Sequence, residues 1–213
     1  MGKVAFVFPG QGSQKVGMGL DAYEASDAAR AVFEEADAAL GEPLSRLCFE
    51  GPEEDLKLTA NTQPAVLATS VALLRALDAP FDVAAGHSLG EYSAHVAAGT
   101  LNLADALRLV RKRGQYMQDA VPYGEGAMAA VLKADRAMVE RICAEVPGLV
   151  EPVNYNSPQQ IVIAGRTEAV SEAGTKLTAA GARASTLPVS APFHSSLMEP
   201  AEARLAKDIM ALE

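Results

Sequence analysis

Residues 83–92, Val-Ala-Ala-Gly-His-Ser-Leu-Gly-Glu-Tyr, constrain this chain more than any other short stretch. A small apolar run ends in Gly-His-Ser-Leu-Gly, and a helix-compatible segment follows at once. A serine set between two glycines at such a corner marks a tight, strained turn in which larger neighbours would clash. A strand feeding straight into a helix belongs to an α/β fold, where helices cover a buried parallel sheet. Composition agrees: 49% of residues are hydrophobic but only 5% are aromatic, with no Trp, which disfavours a β-sandwich.

The surrounding pattern extends this reading. Residues 4–8 form a buried strand that breaks into Pro-Gly-Gln-Gly. Helices are predicted over 27–40, over 62–77 with Pro64 in the first turn, through Ala98 after the serine corner, and over 103–118. The register changes after Tyr-Gly-Glu-Gly. Strands at 127–132, 149–155, 160–164 and 182–189 alternate with helices at 135–146 and 167–180, and the turn-forming Asn-Ser-Pro-Gln joins the middle two strands. That β-α-β-β-α-β order is the ferredoxin-like pattern. The expected organisation is therefore a core over 1–124, an inserted ferredoxin-like subdomain over 125–189, and a return to the core over 190–213. The last stretch ends in a helix without a capping signal and reads as a chain cut short.

Charge narrows the partners. The net charge is −9, and residues 21–55 alone carry eleven acids against Arg30 and Arg46, leaving the remainder neutral. No basic stripe is evident, so nucleic-acid binding is disfavoured. No apolar run approaches membrane-spanning length, and the opening is too short and glycine-rich for a signal peptide. A soluble cytoplasmic protein is the expectation. Cys48 and Cys143 lack any metal-ligand or CxxC spacing and are expected as small core residues.

Gly-x-Ser-x-Gly between strand and helix is the nucleophile elbow, which exposes the serine hydroxyl beside a helix N-terminus. Ser88 is then a nucleophile, with the Leu89 N–H facing the anion formed on attack; the alternative is a serine that merely caps the helix. A serine nucleophile needs a base. His87 should diverge from the hydroxyl, and His95 lies within the following helix as a packing residue. His194, in the loop Ala-Pro-Phe-His-Ser-Ser, is the candidate by elimination, with no acidic residue marked to orient it. Gln11, between glycines at the end of another strand, offers a second oxyanion N–H. On the 103–118 helix the apolar seam runs Leu103, Ala106, Val110, Arg113, Met117, so Arg113 alone of its basic cluster falls on the buried stripe. It is either a structural ion-pair member or a fork for a substrate carboxylate.

These pieces together resemble the malonyl-CoA:acyl carrier protein transacylases, kin to polyketide synthase acyltransferase domains. The matching segments are FVFPGQGSQ, NTQPA, AGHSLGEYSA, RGQYMQ, GAMAAV, NYNSPQQIVIAG and PVSAPFHSSLM, in the family's order along nearly the whole chain. The resemblance implies an α/β-hydrolase-like core with a ferredoxin-like insertion. It implies Ser88 as the acylated nucleophile, His194 as general base, Gln11 and Leu89 in the oxyanion hole, and Arg113 on the malonyl carboxylate. Phe193 matches the arrangement associated with malonyl extenders, and Gln63 and Asn156 match positions near the pocket. Malonyl-CoA and acyl carrier protein are the implied partners, no cofactor is implied, and Arg108, Arg111 and Lys112 form a candidate face for an acidic carrier. Family members usually continue further, adding core strands and a carbonyl that orients the histidine. A serine hydrolase or thioesterase on the same elbow, and an inactive fragment, are the competing readings.

Overall fold

The computed structural model describes residues 2–189 and 191–212. It divides into two compact units: one through Gln115 together with the chain from Leu205 onward, the other Tyr116–Arg204.

The first unit opens with strand β1 (Ala5–Phe8), followed by helices α1 (Leu20–Ala25), α2 (Asp27–Leu40), α3 (Leu44–Glu50), α4 (Glu53–Lys57) and α5 (Thr59–Leu77). Strand β2 (Val83–Gly86), α6 (Gly90–Ala97) and α7 (Leu103–Asp119) come next, the last residues of α7 entering the second unit. Helix α2 shows why such segments form. Ser26 Oγ accepts from the Ala29 N–H at 3.3 Å, Gly41 ends the helix in a left-handed conformation, and Ala29, Val32, Phe33 and Ala36 make one apolar stripe. Phe33 packs edge-on against Phe49, their centroids 4.9 Å apart.

Helix α5 is the core of this unit, buried without interruption from Thr62 to Ala68. It starts earlier than the sequence predicts, because the N–H groups of Asn61 and Thr62 both donate to the Leu58 carbonyl at 2.8 Å. Pro64 is consequently its sixth residue rather than a first-turn residue. The helix tolerates it inside because tertiary burial outweighs the one lost hydrogen bond. Strands β1 and β2 pair in parallel, Ala5 opposite Val83 and Phe8 opposite Gly86. Part of this pair is open to solvent: Val7 is 75% and Val83 52% exposed. A cavity of about 540 Å³ beside it is lined by Val7, Pro9, Lys15, Leu73 and Leu77 among others.

The second unit holds β3 (Gly126–Leu132), α8 (Arg136–Glu145), β4 (Val150–Ser157), β5 (Gln160–Arg166), α9 (Thr167–Ala179) and β6 (Arg183–Thr186). The strands form one antiparallel sheet in the order β4-β5-β3-β6, the ferredoxin-like order. Both helices bury their stripes against it, with Val131, Val139, Ile142, Ile163, Val170 and Leu177 in the shared core. Strand β6 stops short of the predicted residue 189. The Leu187 N–H still donates to Met128, but Pro188 has no N–H to continue the ladder and Val189 turns back onto Leu187. A 3-10 turn (Ser196–Met198) then leads into α10 (Glu199–Met210), whose second residue is Pro200, a position where proline costs no hydrogen bond. No helix among the described residues is long and apolar enough to cross a membrane.

Candidate active site

The serine corner is a sterically forced turn. Ser88 adopts φ +52°, a left-handed conformation unusual for any residue but glycine. A Cβ on Gly86 would lie 1.9 Å from the Gly90 carbonyl carbon, and one on Gly90 would lie 2.2 Å from the Phe8 carbonyl oxygen. Both glycines are therefore required by backbone-to-backbone contact. The N–H groups of Gly90, Glu91 and Tyr92 are taken up by the carbonyls of His87, Ser88 and Leu89. Helix α6 thus starts directly at the serine, with buried Leu89 at its head, so its positive end faces the hydroxyl.

The loop after β1 packs onto this elbow. A Cβ on Gly10 would meet the His87 carbonyl oxygen at 2.5 Å, and Ser13 Oγ donates to the Gly10 carbonyl at 2.8 Å. Gln11 sends its side-chain amide to Thr59 Oγ1 at 3.2 Å. The side chain is tied to α5, which leaves the backbone as the group Gln11 has to offer a substrate.

Arg113 completes the cluster around Ser88 in the first unit. Gly114 makes its placement possible: a Cβ there would lie 2.6 Å from the Ala60 Cα, so α7 crosses the first turn of α5 at backbone contact. The neighbouring Arg113 then reaches Gln63, one turn along α5, and donates Nη1–H to Gln63 Oε1 at 2.8 Å. Its Nη2 donates to Ser88 Oγ at 3.2 Å, and its Cζ lies 5.6 Å from the centre of the Tyr92 ring. Gln63 is 1% exposed; leaving its carbonyl unsatisfied there would cost about 1–3 kcal/mol. Burial pulls the Arg113 pKa down, while the Tyr92 hydroxyl and the charge of Glu91 act the other way. The same burial pushes the Tyr92 phenol up. Tyr92 escaped the sequence reading, although its spacing of four from Ser88 places it one helical turn onward.

His194, Phe193 and Asn156 belong to the second unit. His194 is exposed and left-handed at φ +65° in a tight loop. Ser195 donates Oγ–H to the Pro192 carbonyl at 2.7 Å, and the Phe193 N–H donates to Ala191. Phe193 is buried with Met128, Val162 and Met198. Pro192 rests on Gly126 of β3, where a Cβ would come within 2.2 Å of the proline ring. From β4, Glu151 accepts the Ser196 N–H at 2.7 Å, a charge-assisted bond two residues beyond His194. Replacing Glu151 with alanine is expected to remove about 1–2 kcal/mol and to lower the thermal midpoint by a few degrees. A melt equal to the parent's would show that the loop holds without it. Asn156 lies at the far end of β4 and donates to Gln160 within the hairpin at 3.0 Å.

Two expectations need correction. The basic face on α7 is already matched by acids: Arg108 pairs with Asp105, Arg111 with Glu42 and Asn61, and Lys112 with Asp208 at 2.6 Å. Asp105 is a neighbour on the same helix, while Glu42 and Asp208 come from distant parts of the sequence, and as a docking face the cluster is largely self-neutralised. His95 is exposed on α6 rather than packed inside, because Ser93 and not His95 falls on the buried side. Cys48 and Cys143 are buried free thiols, and burial pushes them up to about 12 and about 11. They are poor nucleophiles. No cluster of metal-ligating side chains occurs among the described residues.

A parallel strand pair, a left-handed serine between two obligatory glycines, and an arginine fork on that serine define a scaffold for serine-based acyl transfer. Residues 5–213 match the acyl transferase domain, and the chain belongs to that family. It is 51% identical over 98% of its length to the malonyl CoA-acyl carrier protein transacylase of Escherichia coli K12, of which it covers 70%. The corresponding Bacillus subtilis protein is 49% identical over the whole chain, which spans 69% of it. The crystal structure of the Clostridium perfringens transacylase superposes with a TM-score of 0.96 at 42% identity, the chain covering 69% of it. A malonyl-transacylase solved in complex with a type II PKS acyl-carrier protein gives 0.96 at 47% identity, with 71% of that chain covered.

Proposed function

We propose that this chain transfers a malonyl group from malonyl-CoA to the phosphopantetheine thiol of acyl carrier protein, through a malonyl ester on Ser88, for fatty-acid or polyketide synthesis. Ser88 Oγ attacks the thioester carbonyl and gives its proton to His194, the oxyanion meets the backbone N–H groups of Gln11 and Leu89, and the C–S bond breaks. CoA leaves as the free thiol, taking the proton from His194, which is then neutral again. The carrier thiol then attacks the ester, gives up its proton to His194, and the proton returns to Ser88. Phe193 narrows the site for an unbranched acyl group and Asn156 contributes to its edge. No group beyond the two thioester carriers enters the chemistry, and a cytoplasmic location is part of the same proposal.

The observation that carries the reading is Arg113: its guanidinium is held by a buried amide and touches the nucleophile itself. A carboxylate one methylene from a carbonyl on Ser88 would accept from Nη2 and from a second N–H of the fork, and the fixed guanidinium would align the ester for the second attack. A thioesterase would leave this cation beside Ser88 with no anion to bind.

The test is the intact mass of the chain after malonyl-CoA. One malonyl group per chain is expected, lost again on adding the phosphopantetheinylated carrier; a chain that takes up none overturns the proposal. Arg113→Ala should lower acylation by malonyl-CoA by about 10- to 100-fold, as expected for a hydrogen bond to a charged group, and spare acetyl-CoA. An unchanged malonyl-to-acetyl ratio would return Arg113 to a structural role.

A further inference from the structure

Arg113 has an unusual set of holders. Gln63 Oε1, Ser88 Oγ and the Tyr92 ring are all neutral, whereas a half-buried guanidinium ordinarily recruits a carboxylate into direct contact. Had one of these positions been Asp or Glu, the positive charge would already be matched and a substrate anion would gain little by arriving. Neutral holders fix the fork in place, and the Glu91 charge acts on it only through space, so the fork keeps donors for an arriving anion.

Gln63 and Tyr92 do this from different directions. Gln63, on α5, fixes Nη1 and so sets where the guanidinium sits. That bond alone leaves the plane free to swivel about the Nη1–Oε1 line. Tyr92, on α6, adds the face of its ring, 5.6 Å from Cζ. Tyr92 follows Ser88 by one helical turn on the helix that starts at the elbow, and it packs against the core of the first unit. The distance from nucleophile to fork is thus built into a single short helix.

We propose that Tyr92 is a positioning residue for acyl-group selection, holding the plane of the Arg113 fork so that its Nη2 edge meets a carboxylate on the acyl group at Ser88. The proposal rests on the malonyl-transfer reading above. It makes Tyr92 matter for carboxylated acyl groups and not for acyl groups without the acid.

The experiment compares the parent with Tyr92→Leu, which removes the ring. Time courses of Ser88 acylation are read by intact mass over a range of malonyl-CoA and of acetyl-CoA. KM for malonyl-CoA should rise about tenfold, the scale of one lost contact between a partly desolvated cation and an aromatic face, with its kcat and both acetyl constants close to the parent's. Equal change with both substrates, or change with neither, overturns the proposal. As a second reading independent of turnover, free malonate should raise the parent's melting temperature above that in equal acetate, and Tyr92→Leu should lose that difference; a retained difference also overturns it. A parent chain that takes up no malonyl group sinks the transfer reading instead, and the two failures are distinct.

Discussion

Replacing Ser88 with alanine is expected to leave a folded chain that acquires no malonyl group. In the proposed reaction Ser88 Oγ is the one atom without a substitute, and losing a serine nucleophile costs on the order of 10⁶ in turnover. Intact mass after malonyl-CoA reads the outcome, and any adduct on Ser88→Ala would place the acylated residue elsewhere. Ser88→Gly sharpens the comparison. The φ of +52° that Ser88 adopts is strained for an L-residue and free for glycine, by about 1 kcal/mol. Ser88→Gly should therefore be as inactive as Ser88→Ala yet melt at or above the parent. A lower melting temperature would mean that the elbow is not under strain.

The second large effect is on folding. Gly86→Ala puts a methyl 1.9 Å from the Gly90 carbonyl carbon and 2.0 Å from its oxygen, and both obstacles are backbone. Neither can rotate away, so β2 must separate from α6 or the elbow must open. A loss above about 4 kcal/mol is expected, within the range reserved for such clashes, and the soluble yield should collapse. Gly12 is the control. It has φ +104° but nothing within 4 Å of the added carbon, so Gly12→Ala costs only the backbone strain, about 1 kcal/mol. Equal denaturation midpoints for the two alanine variants would refute the steric account.

Much of this was legible in the sequence because it rests on local rules. Short apolar runs bounded by turn residues marked β3, β4 and β5, and the apolar residues of 135–146 on one side marked α8. The Gly-x-Ser-x-Gly corner and the out-of-place Arg113 were equally local, the latter visible because a 3-4-3-4 seam leaves no polar position. The short helices α1, α3 and α4 were not legible. They fall in the acid-rich, glycine- and proline-punctuated stretch before α5, where five to seven residues are too few to show a period. The partners of Arg111 and Lys112 were hidden for a different reason. Glu42 and Asp208 meet α7 only through tertiary folding, and sequence spacing carries no trace of them. Gln63 could be named from the family resemblance, but its hold on Arg113 depends on Gly114 letting two helices touch, which no single-segment rule predicts.

The open flank of β1 and β2 sets how a polypeptide of these 213 residues behaves when concentrated. Val7 and Val83 present branched aliphatic groups on a two-strand ribbon, with Leu73 and Leu77 of α5 exposed nearby, a surface that self-associates readily. Opposing it is the −9 charge, most of it on the helices just after β1. Mutual repulsion keeps molecules apart only over a Debye length, roughly 10 Å at 0.1 M salt and 3 Å at 1 M. Colloidal behaviour is thus a contest between a sticky ribbon and an acidic coat, and added electrolyte tips it toward the ribbon.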